Sequence, residues 1–163
     1  AMKMLRVSYS AIVVMLVLGL ASCRVKERRG DDVRSSVTHG RYLAVISGCN
    51  DCHTTGYALA EGNVDEKEWL TGDRLGWNGP WGTTYPTNLR LLVSRMTEEE
   101  WVRNVKNAKA RPPMPWYIFR EMSDRDFRDL YRYIRSLGAA GVESPAFVPP
   151  HEVPAGPVIR YPK

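Results

Sequence analysis

The hydrophobic and polar positions of this chain change pattern several times along its length. An unbroken apolar run from Ala11 to Leu20 follows Lys3 and Arg6. From Arg24 to Ser36 the chain is charged and has no apolar period, the pattern of a solvated tether. Tyr42, Val45, Ile46 and Cys49 then recur at i, i+3, i+4 and i+7, which predicts a helix from about Val37 to Cys49. Beyond His53 the glycines at 56, 62, 72, 76, 79 and 82, with Pro80 and Pro86, interrupt every period and predict loop.

Two further helices are announced by their starts. Thr97 followed by Glu100 is a capping box, with Met96 placed to staple against Trp101, and Trp101, Val105 and Ala108 form the inner face. Ser123 with Asp126 repeats the device. Phe127, Leu130, Tyr131, Ile134 and Leu137 then mark a helix that stops at Gly138. From Ser144 on, six prolines predict an extended tail that wraps the domain or reaches a partner. The expectation is all-α, with a leader at 1–22, a tether at 23–36, a domain at 37–140 and a proline-rich tail at 141–163.

Composition changes this picture at the N-terminus. Basic residues, an apolar run shorter than the roughly 20 residues of a membrane span, and then Leu20-Ala21-Ser22-Cys23 give the layout of an export signal. The last four residues resemble the bacterial lipobox, so Cys23 is the expected lipidation site. An uncleaved helical anchor is the alternative. Loss of the leader removes Lys3 and Arg6 and takes the formal charge from +5 to +3. The basic residues are dispersed and carry no nucleic-acid-binding motif, so no nucleic-acid partner is expected.

The chemistry centres on Cys49-Asn50-Asp51-Cys52-His53. A C-x-x-C-H pentapeptide is an attachment site for c-type haem. Cysteines three apart lie on one helical turn, where their sulfurs can form thioethers with two porphyrin vinyl groups. His53 then lies under the iron as proximal ligand, and its second ring nitrogen needs an acceptor to fix the tautomer. Zinc would want further Cys or His ligands, and a thioredoxin-like pair would want a βαβ setting. The chain has three cysteines, so Cys23 for lipid and Cys49 and Cys52 for haem leave none for a disulfide.

A sixth ligand decides between electron transfer and chemistry on a bound molecule. Stapling accounts for Met96 and Met122. Met114 lies in Arg111-Pro112-Pro113-Met114-Pro115-Trp116, where prolines fix the backbone and suit it to present a thioether. His39, near the start of the first helix, and His151, in the tail, are the rivals.

In these features the chain resembles the class I cytochrome c family over about Thr38 to Gly138. The resemblance rests on Gly40-Arg41-Tyr42-Leu43-Ala44 before the C-x-x-C-H motif, Gly82-Thr83-Thr84-Tyr85-Pro86-Thr87-Asn88, Pro113-Met114-Pro115-Trp116, and Leu130-Tyr131-Arg132-Tyr133-Ile134. It is similar above all to the cytochrome c domains serving bacterial periplasmic dehydrogenases, although those subunits often carry several haem motifs and this chain has one. The resemblance implies a compact fold of three to five helices around one covalent haem c. Its first and last helices would cross at Gly40 against Tyr131 or Tyr133. It further implies His53 and Met114 as axial ligands, and Trp81, Tyr85 and Asn88 as candidate propionate contacts.

The expected function is a membrane-tethered monohaem electron carrier on the periplasmic face of a bacterial membrane, working with redox protein partners in a respiratory chain. A haem subunit docked permanently in a larger membrane oxidoreductase complex, with the tail as docking strip, is the alternative. A haem enzyme or gas sensor is a third. No hydrolytic or phosphoryl-transfer motif is present, and no catalytic residue is expected.

Overall fold

A computed structural model describes residues 32–161. The leader and Cys23 therefore lie outside the described residues. The chain divides into one unit ending at Ser35 and a second beginning at Ser36. Backbone is helical over residues 32–46 (α1), earlier than the apolar pattern suggested, and again at Cys49–His53 (α2). Short helices follow at Leu89–Ser94 (α3) and Glu98–Lys106 (α4), with a longer one at Asp124–Ser136 (α5). Short 3-10 helices occupy Glu66–Glu68 and Trp116–Glu121.

The two capping boxes form as the sequence indicates. Thr97 and Glu100 at α4, and Ser123 and Asp126 at α5, each exchange side-chain and backbone hydrogen bonds. Gly138 closes α5 with a left-handed φ of 73°. The helix α3 gave no periodic signal because it is only six residues long, and its start is set by Asn88, whose side chain accepts from the Leu91 amide.

The fold is not strictly all-α. Gly76–Gly79 (β1) and Gly82–Thr84 (β2) form an antiparallel hairpin, and Val158–Arg160 (β3) adds to β1 in parallel, giving the order β2-β1-β3. The glycines that break helical periodicity here make the hairpin possible. A Cβ on Gly76 would stand 2.6 Å from Thr83, and one on Gly82, at φ 100°, would stand 2.3 Å from the Val148 carbonyl. Prolines exclude helix from the tail but leave Val158-Ile159-Arg160 free to pair as an edge strand.

The core joins α1, α3, α4 and α5: Leu43, Ala44, Val93, Trp101, Val102, Phe127, Leu130, Tyr133 and Ile134 are buried together with Trp69 and Leu70. The buried face of α1 is Ser36, Gly40, Leu43 and Ala44. The stripe inferred from periodicity, Tyr42, Val45 and Ile46, faces outward at 55%, 40% and 58% exposure. Apolar spacing was the wrong guide because the inward face is built for close approach. A Cβ on Gly40 would lie 2.0 Å from the Asp129 carbonyl oxygen and 2.7 Å from Tyr133 Cβ. Small and polar residues therefore line the crossing of α1 and α5.

Polar contacts lock the crossing. Asp129, 2% exposed, accepts hydrogen bonds from the Ser36 hydroxyl and, at 2.9 Å, from His39 Nδ1. Glu98 on α4 holds Arg128 at 2.9 Å and Arg132 at 2.8 and 2.9 Å. Buried Arg90 on α3 donates to the carbonyls of Lys67 and Gly138 at 2.6 Å and to that of Leu137, capping the carbonyl end of α5. Gly40→Ala is expected to cost about 3 kcal/mol, since backbone must retreat to admit the methyl. Chemical denaturation against wild type measures it, and a change under about 0.5 kcal/mol would show that α1 and α5 do not meet here.

Candidate haem site

The C-x-x-C-H motif is a five-residue helix entered by a sharp bend. Gly48 ends α1 in the left-handed region at φ 67° and turns the chain into α2. Both cysteines are free and half-buried on one turn. Burial pushes the Cys49 thiol up to about 11 and raises that of Cys52. Both are neutral thiols at pH 7, unlike the depressed thiolates of redox-active C-x-x-C pairs. Among the described residues no three Cys, His, Asp or Glu side chains form a group that could hold a metal ion by themselves.

His53 is buried, and its Nδ1 lies 2.7 Å from the Thr87 carbonyl oxygen. A carbonyl only accepts, so Nδ1 carries the proton and the lone pair is on Nε2. Burial lowers the pKa of the ring, with the Thr87 contact opposing it, so the imidazole is neutral and ready to ligate. A backbone carbonyl accepting from the second ring nitrogen fixes tautomer and ring direction together, as metal-ligating histidines require.

Two strands of loop hold the motif in place. The His53 carbonyl accepts from the Gly72 amide at 2.8 Å. Thr54 Oγ1 donates to Asn50 Oδ1 at 2.7 Å and accepts from the Leu70 amide at 2.8 Å. Leu70 in turn accepts from the Leu89 amide at 3.0 Å. Gly72 is hemmed in, since a Cβ there would stand 2.4 Å from Ser144 Oγ and 2.9 Å from the Pro86 carbonyl. Residues 70–72 and 86–89 are thus bound to each other and to α2. Thr54, Gly72 and Thr87 had no signal of their own: Thr87 acts through its backbone carbonyl, which no side-chain pattern reveals.

The other sequence-indicated residues are spread around this frame. Asn88 is fully buried, and its amide donates to the Ala140 and Val142 carbonyls at 2.8 and 3.1 Å. Both its donor hydrogens are committed to backbone, so Asn88 ties the fold together and has none to offer a propionate. Tyr85 is buried behind Gly76. Trp81 packs edge-on against Tyr161, with ring centroids 5.3 Å apart. Its indole N–H and the Thr84 hydroxyl are buried without a partner, as is the Asn50 amide nitrogen. Buried orphans of this kind are few in folded proteins. The residues that fit a covalently held haem are the cysteine pair on one turn and the neutral imidazole of His53, whose lone pair is on Nε2 because Thr87 holds Nδ1.

Met114 is half-buried, in the connection between α4 and the Trp116–Glu121 turn. Its amide donates to Arg111 at 3.2 Å and its carbonyl accepts from Trp116 at 2.9 Å. Phe119, just beyond, meets Phe127 of α5 edge-on at 6.1 Å and anchors the connection to the core. Of the rival ligands, His39 has Nδ1 on Asp129 and its ring stacked on Tyr42, and His151 is exposed in the tail.

Comparison with known proteins agrees in outline. The chain is similar to the fructose dehydrogenase cytochrome subunit of Gluconobacter japonicus, 26% identical over 140 residues that cover 77% of this chain and 27% of the relative. It thus spans about a quarter of that protein's length. No family model matches. No solved structure matches.

Replacement of either Cys49 or Cys52 by Ala is expected to cut covalently retained haem at least tenfold, read by haem staining after denaturing electrophoresis. A variant retaining wild-type haem in denaturant would remove that cysteine from the site.

Proposed function

We propose that the domain is a haem c electron-transfer module. The observation that carries this reading is the neutral, buried His53, fixed through Nδ1 by Thr87 so that its lone pair is on Nε2, directly after the cysteine pair. Cys49 and Cys52 would hold the haem by thioethers, with His53 Nε2 and the Met114 thioether as the side-chain donors to its iron. A bound haem supplies a reversible one-electron couple. The chain's own residues do the rest: Thr87 orients the imidazole, the Arg111–Trp116 backbone presents a soft sulfur that favours ferrous iron, and the aromatic core excludes water.

The same reading makes the protein one subunit of a redox complex or a carrier serving it, which the similarity to a dehydrogenase cytochrome subunit supports. Tethering through lipid on Cys23 at the periplasmic face of a membrane belongs to this proposal. Among the described residues no helix is long and apolar enough to cross a membrane. The tail is a poorer docking strip than its prolines suggested, because Val148 pairs with Thr83 and Val158–Arg160 pairs with β1.

Met114 decides between an electron carrier and a ligand-binding haem. The wild-type ferric protein is expected to show the weak near-infrared sulfur-to-iron charge-transfer band. Met114→Ala should abolish it, lower the potential and admit carbon monoxide. Met96→Leu and Met122→Leu should alter only stability, by about 1.5 kcal/mol or less. A wild type without the band, or a Met114→Ala protein that keeps it, would exclude Met114 as ligand. For the anchor, mass spectrometry of the mature N-terminus should find diacylglyceryl-modified Cys23, and a mature form starting elsewhere would end the lipoprotein reading.

A further inference from the structure

The tail does more than cover the hairpin. Between Ala140 and Val148 it binds the segment that carries Thr87. Asn88 donates to Ala140 and Val142, the Ser144 hydroxyl donates to the Pro86 carbonyl, and Val148 and Thr83 exchange backbone hydrogen bonds at 2.8 and 3.0 Å. Phe147 is the residue before that exchange, so its position is fixed from both sides. Its ring lies under the guanidinium of Arg111, with Cζ 3.8 Å from the centroid. Arg111 and Met114 are the first and last residues of one hydrogen-bonded turn. Residues 140–148 thus touch the backbone that orients His53 and the turn that presents Met114.

We infer that this stretch is a strap coupling the two axial-ligand segments, with Phe147 and Arg111 as positioning residues that keep the Met114 turn closed. The inference rests on Met114 being a haem ligand, but the strap itself can be judged without it. An iron–thioether bond is weak enough that its survival depends on how firmly the loop holds the sulfur in place. A strap anchored on the histidine side supplies that restraint from outside the haem pocket. Arg111 is exposed and Phe147 half-buried, so neither is needed for the core.

The test uses the full-length haem-loaded protein and imidazole as a competing ligand, with amide hydrogen exchange at Met114 in parallel. Phe147→Ala and Arg111→Gln are each expected to raise imidazole affinity about three- to tenfold, the scale of one ring–guanidinium contact, with a similar rise in exchange at the Met114 amide. The double variant should do no more than the stronger single one. Val153→Ala, on an exposed tail residue, should match wild type. Single variants with wild-type affinity and exchange, or effects that simply add, would overturn the strap. If wild type lacks the sulfur-to-iron band, the ligand assignment fails by itself. Exchange at Met114 then decides the strap, a rise in the variants upholding it and no change overturning it.

Discussion

The hydrogen bond from His53 Nδ1 to the Thr87 carbonyl is the contact on which the other features converge. It joins α2 to a segment 34 residues later in the chain. That segment is held by Asn88, which caps α3 with one end of its amide and holds the tail with the other. Without this anchoring, the imidazole could rotate about its side-chain bonds and present either nitrogen. With it, tautomer and direction are set together, and a neutral donor is kept in a buried place at a cost the surrounding backbone bonds offset.

The same economy governs the α1–α5 crossing. Its closeness comes from Gly40, and its direction from Asp129, which gathers Ser36 and His39 from α1. Around Gly40 that face is small and polar, so α1 sends Leu43 inward and leaves Tyr42, Val45 and Ile46 outside. The result is a rigid platform whose C-terminal end, at Gly48, turns directly into the cysteine-bearing turn.

Legibility in the sequence followed the range of the interactions. The capping boxes of α4 and α5, the stop at Gly138 and the C-x-x-C-H turn are local, written within three or four neighbouring residues, and all could be read. The face of α1 could not be, because Gly40 is buried for a reason that sits on α5. The hairpin was hidden by its glycines, which look like loop until Val148 and β3 supply partners. Thr87 acts through a carbonyl that every residue possesses. Asn88 was marked as important but for haem contact, whereas its amide is consumed by the tail. The orphaned indole N–H of Trp81 and hydroxyl of Thr84 could be found only once burial was known.

Covalent attachment of a porphyrin through Cys49 and Cys52 is the step of the proposal on which the others rest. The most direct measurement is the intact mass of the native protein after denaturation, combined with thiol alkylation and an alkaline pyridine spectrum. The expected result is a mass greater than that of the polypeptide by one haem, no alkylation at Cys49 or Cys52, and the spectrum of a haem with both vinyl groups saturated. A polypeptide of unmodified mass with both thiols free to alkylate, or a pigment extracted by acidified organic solvent, would contradict it.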